Sequence, residues 1–110
     1  MTDYTLTQLS DAIQKSFARY DQQGTRHWTW QVAAQDLIYQ IGSLHKVALQ
    51  LSGDRWAHNK SKEVLEAEFK DELADIVAVA LYIAAERGID MNQAMDDMFA
   101  SDQQKVADRT

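Results

Sequence analysis

The stretch Leu73-Ala74-Asp75-Ile76-Val77-Ala78-Val79-Ala80-Leu81-Tyr82-Ile83-Ala84-Ala85 carries a single charge, Asp75, across thirteen residues. Its alanines, leucine and isoleucines continue without a glycine or proline to break them, which predicts a helix. A helix this apolar around its whole circumference belongs in a core. It is shorter than the ~20 residues a membrane span needs and holds an acid, so it is read as the centre of a water-soluble fold. Glu72 stands at its entrance. Glu72 and Asp75 are three residues apart and share one helical face. A carboxylate on such a helix must be paired, hydrogen-bonded, protonated or bound to a cation, because an isolated buried charge is costly.

Outward from this stretch the helical period persists. A third helix over Lys62–Arg87 contains it, amphipathic at first (Val64, Leu65, Phe69), with Gly88 closing it. A second helix is expected from about Trp30 to Leu51, with Leu37, Ile41, Leu44, Ala48 and Leu51 as a bundle seam. A first helix should run from about Leu6 to Tyr20 on a stripe of Leu6, Leu9, Ile13 and Phe17, leaving through Gly24. Residues 25–30 connect it to the second. Asp90 reads as an N-cap with Gln93 as its capping-box partner, opening a short fourth helix to about Ala100. Met91, Met95 and Met98 mark that helix's buried face. The fold class is therefore all-α, a single domain over residues 1–110. It comprises an N-terminal helix and connection (1–27), a core (28–100) and a polar tail (101–110).

Composition narrows the function. The chain has 110 residues, a net charge of −6, no cysteine and no proline. The acidic balance argues against general nucleic-acid binding. Absence of cysteine removes thiolate and disulfide chemistry. The first residues show neither a basic n-region nor an apolar h-region, so the expected compartment is the cytoplasm. No serine or cysteine triad and no glycine-rich phosphate loop can be drawn. His27, His45 and His58 lack metal-ligand spacing.

The E-x-x-D pair Glu72-Leu73-Ala74-Asp75, inside DELADIVAVALYIAAERGID, together with the helix order and the Gly88-Ile89-Asp90 closure, resembles the MazG-like all-α nucleoside-triphosphate pyrophosphohydrolases over about residues 28–105. The family pairs this motif with E-E-x-x-E on the preceding helix, and those glutamates fall here on Tyr39, Gln40 and Ser43. The lysine and asparagine that the family often places on its last helix fall at Asp97 and Ser101. The resemblance implies two long antiparallel helices with shorter terminal ones. It also implies Mg²⁺ (Mn²⁺ as substitute) on Glu72 and Asp75, and hydrolysis of a nucleoside triphosphate to monophosphate and pyrophosphate. Asp36, Gln40 and Glu68, one turn from the motif positions, are the auxiliary ligand candidates. Trp56, Lys60, Lys62 and Trp30 are the nucleotide-binding candidates. No catalytic residue is assigned.

Each reading has a counterpart. Glu72 and Asp75 could instead accept hydrogen bonds from Tyr39, Gln40 and Ser43, as a polar staple between helices. Trp56 could plug the bundle end, with its basic neighbours solvated. The chain could be a catalytically impaired relative acting as a nucleotide-binding or structural oligomer. Finally, two long and two short helices cover the apolar third helix poorly. A homodimer or tetramer would solve that, as would a monomer using the first helix as a lid.

Overall fold

The computed structural model describes residues 2–24 and 27–109. Among them lie four helices and no strand: α1 (Leu6–Gln22), α2 (Trp30–Ser52), α3 (Lys62–Glu86) and α4 (Met91–Asp108). Among the described residues no helix is long and apolar enough to cross a membrane. The N-termini are set by side chains that satisfy otherwise orphaned amides. Thr5 and Gln8 form a reciprocal capping box on α1. Thr29 caps α2 and Ser61 caps α3, each accepting from the third amide onward. Gly53 ends α2 in the left-handed region at φ 84°, a conformation glycine adopts without a Cβ penalty.

Two local expectations change at α4. Asp90 does cap the helix, accepting from the amides of Asn92 (3.0 Å) and Gln93 (3.3 Å). Gln93, however, donates forward to Asp97 at 2.9 Å and does not close a capping box. The helix also runs eight residues past Ala100, to Asp108, so the polar tail is helical. Nothing in Ser101–Asp108 stops it: there is no glycine or proline, and Gln104 donates to Asp108 one turn on at 2.9 Å.

α2 and α3 pack along each other as the principal helix pair, α1 lies on α3, and α4 packs chiefly on α1. The core groups Ala33 from the start of α2 with Val79 and Tyr82 from the end of α3, so the two long helices run antiparallel. Ile13, Phe17, Trp28, Leu37 and Ile83 close around them. Phe17 meets Tyr82 edge to face with ring centres 4.4 Å apart, a favourable aromatic geometry. Tyr82 donates its hydroxyl to the Trp28 carbonyl at 2.5 Å, which ties the α1–α2 connection to α3. Burial, a hydrogen bond to Glu86 and nearby negative charge push its pKa up to about 12.

The buried line of α2 consists of Ala33, Val47 and Gln50, and Ile41 of the expected seam lies outside it, 53% exposed. Nor is α3 buried all round. Val79, Leu81, Tyr82 and Ala84 are covered, but Leu73 and Val77 stand 43% and 46% exposed. Met91 and Met95 are half-buried on α4, whereas Met98 is exposed. α1 packs on α3, through Phe17 against Tyr82.

His27 fastens the same corner. Its Nδ1 lies 2.8 Å from Asp21 Oδ2 and its Nε2 3.4 Å from Glu86 Oε1. The hydrogen bond to Asp21, aided by the charges of Asp21 and Glu86 and opposed by partial desolvation, raises the imidazole pKa above 6.5. A raised folded-state pKa gives a contribution fully present below the unfolded value and lost as pH rises through the folded one. Thermal unfolding midpoints should therefore fall as pH climbs from just below 6.5 through the neutral range, and His27→Gln should flatten that slope. An equal slope in the variant would remove His27 from the corner's energetics.

Candidate acidic site between the long helices

Glu72 and Asp75 are both half-buried on α3. Among the described residues, Glu72 Oε2 is shut off from solvent without a hydrogen-bond partner. Burial raises the Glu72 pKa first; Asp75, Asp71 and Glu68 add repulsion, and Lys46 partly offsets it. Asp75 is likewise raised by burial and then by Asp71 and Asp36. The seam between α2 and α3 thus gathers negative charge faster than it supplies donors or cations.

The polar staple does not form. Gln40 donates its side-chain amide to Asp36 at 3.2 Å. Tyr39 stands 70% exposed. Among the described residues no hydrogen bond runs from Tyr39, Gln40 or Ser43 to Glu72 or Asp75. Of the auxiliary candidates, Asp36 comes close enough to perturb Asp75, with Gln40 attached to it. Glu68 is engaged elsewhere, in a 2.8 Å ion pair with Lys60. Asp71 was missed by motif spacing, although its position four residues before Asp75 places both on one face. It is exposed, yet it repels both motif carboxylates.

The nucleotide candidates separate into two places. Trp56 and Lys60 occupy the α2–α3 turn, Lys62 begins α3, and Trp30 begins α2 at its far end, about 33 Å away along the axis. There Trp30 lies under the Arg87 guanidinium, 4.7 Å from its ring centre, as a packing residue. Trp56 does not plug the bundle: it is 68% exposed and its ring lies tilted at 40° against His58, with ring centres 4.2 Å apart. His58 and Asn59 both take left-handed backbone conformations, φ 55° and 62°, to make this turn. Gln50, buried at the end of α2, donates to the Trp56 carbonyl at 3.2 Å and pins the turn from below. Through Lys60 and Glu68, the turn reaches to within one helical turn of Glu72.

Among the described residues no group of three or more His, Asp or Glu side chains is gathered to hold a metal alone. Glu72 and Asp75 offer hard carboxylate oxygens. Mg²⁺ commonly binds through one or two carboxylates, several waters and substrate phosphates. Glu72 Oε2, buried without a donor, is an oxygen of the type such an ion takes. The fold and site define an all-α domain with two half-buried carboxylates, Glu72 and Asp75, on α3. No family model, curated protein or solved structure matches the chain.

Proposed function

We propose that this chain is a MazG-like nucleotide pyrophosphohydrolase-type domain in which Glu72 and Asp75 hold Mg²⁺, or Mn²⁺ in its place, for a nucleoside triphosphate. The observation that carries this reading is Glu72 Oε2, excluded from water, without a donor, and surrounded by further carboxylates. A carboxylate in that condition gains most from a cation, because both desolvation and repulsion are relieved together. A bound ion would neutralise charge on the phosphate oxygens.

The protein's own groups divide the remaining work. Glu72 and Asp75 anchor, while Asp36 beside Asp75 deepens the negative potential and is held by Gln40. Lys62 offers charge to phosphates, with Lys60 beside it paired to Glu68, and the exposed Trp56 offers a face to a base. The reading includes a homodimer or tetramer, since one chain leaves Leu73 and Val77 in water.

A second reading, a non-catalytic relative that binds nucleotide or serves as a structural oligomer, draws on Tyr39, Gln40 and Ser43. They stand where the family carries glutamates, and Gln40 is occupied with Asp36. Thermal unfolding with millimolar Mg²⁺ or Mn²⁺ and a panel of nucleoside triphosphates, with pyrophosphate release followed in parallel, separates the two. A metal-dependent rise that grows with one nucleotide and accompanies pyrophosphate release supports the hydrolase. The same rise without release supports the binding protein, and no response to any metal or nucleotide removes both nucleotide roles.

A further inference from the structure

α4 is packed over only part of its length. Met91, Ala94 and Met95 are half-buried in its first turns, and every residue from Asp96 to Arg109 is exposed. The helix nonetheless continues to Asp108. Isolated helices shorter than ~12–15 residues are marginal in water, and most helical stability in proteins comes from packing an amphipathic face. This half of α4 buries no side chain within the chain itself. It is also poor in strong helix formers, holding four aspartates, Phe99, Ser101 and Val106.

Its large apolar side chains still share a face. Phe99 and Val106 stand two turns apart, 53% and 63% exposed, with Met95 one turn before Phe99. Asp102 lies between them, three residues after Phe99 and four before Val106, and Asp96 lies three before Phe99. Both acids therefore border the stripe. Asp97 and Asp108, away from it, are held within the helix, accepting from Gln93 and Gln104. Among the described residues the side chains of Asp96 and Asp102 enter no hydrogen bond or ion pair.

We propose that this stripe, Phe99 and Val106 bordered by Asp96 and Asp102, is the docking surface for a basic amphipathic helix of another protein. Charge complementarity selects that occupant. With its caps, α4 carries five aspartates against Lys105 and Arg109, half of the chain's net charge of −6. A second copy laid along it would set like charges together. An anionic membrane surface is disfavoured for the same reason. A partner helix with apolar residues seven apart, and lysine or arginine beside them, covers Phe99 and Val106 and pairs both carboxylates. Phe99 is the aromatic anchor of the contact. The surface stands apart from the nucleotide reading, since none of these residues belongs to that site.

Fluorescence anisotropy of a labelled synthetic amphipathic helix of leucine and lysine, ~20 residues long, tests this on the full chain without metal or nucleotide. The probe should bind wild type, and the same peptide with glutamate for lysine should not. Phe99→Ser and Asp102→Lys should each weaken binding of the lysine peptide about tenfold or more, and Asp102→Lys should gain affinity for the glutamate peptide. Ile38→Ser, at an exposed site on α2, should bind the lysine peptide as wild type does. Phe99 and Asp102 are exposed, so neither change touches the core, and circular dichroism should show all three variants folded. Failure of wild type to bind, binding that survives both α4 variants, or an equal loss in Ile38→Ser overturns the proposal. So does a change in sedimentation equilibrium between wild type and Phe99→Ser without peptide, which would mark the stripe as covered by a second copy.

Discussion

Asp75→Asn is expected to abolish the stabilisation that Mg²⁺ gives the folded chain while leaving the metal-free fold intact. An ion present at a hundredfold excess over its dissociation constant raises stability by about 2.7 kcal/mol, and the variant should lose that increment. Without metal, the wild-type carboxylates are a burden at neutral pH. Burial and mutual repulsion raise both pKa values, so the protonated forms are favoured by folding. The resulting stability is present at acid pH and lost as pH rises through the folded-state pKa values. Asparagine removes one charge from this cluster, so the metal-free midpoint at neutral pH should hold or rise. Mg²⁺ titrations followed by thermal unfolding give both readouts. A loss of ~1–3 kcal/mol that is the same with and without the ion would instead mark Asp75 as a needed hydrogen-bond acceptor, and would remove it as a metal ligand.

The largest loss of stability should come from Tyr82→Ala, about 3–5 kcal/mol by analogy with other buried aromatics. Tyr82 is buried where three segments converge: Phe17 of α1 on its ring, the Trp28 carbonyl on its hydroxyl, and Ala33 of α2 in the same core cluster. Removing it opens a cavity and releases α1 from α3. With total stabilities of small domains commonly 5–15 kcal/mol, that is a severe defect. Tyr82→Phe keeps the ring and loses only the hydroxyl bond, which should cost about 1 kcal/mol. Urea unfolding monitored by circular dichroism compares the two. Equal losses would mean that the hydroxyl, not the packed ring, holds α1 in place. The effect bears on function because α3 also carries Glu72 and Asp75, three and two turns earlier along the same helix.

Much of this architecture could be read before any coordinates. Asp90 was read as the cap of α4, and its side chain accepts from amides two and three residues on. The pairing of Glu72 with Asp75 needs only the helical period. What failed were readings that depended on distant neighbours. The seam of α2 was drawn through Ile41, but the position of α3 selects Ala33, Val47 and Gln50. Trp56 was open to being a plug, and only the turn conformation at His58 and Asn59 leaves it exposed. Glu68 was available as a ligand until the turn brought Lys60 to it.

The sequence by itself determined an all-helical chain, the order of its four helices, and a carboxylate pair at the mouth of its most apolar segment. Those properties rest on hydrogen bonds and side-chain spacing within a few residues. Tertiary structure alone decided that Glu72 Oε2 is left without a donor and that Ile38, Ile41, Leu73 and Val77 stay exposed. These outcomes depend on how helices distant in sequence are set against each other, which the local period of any one helix does not encode.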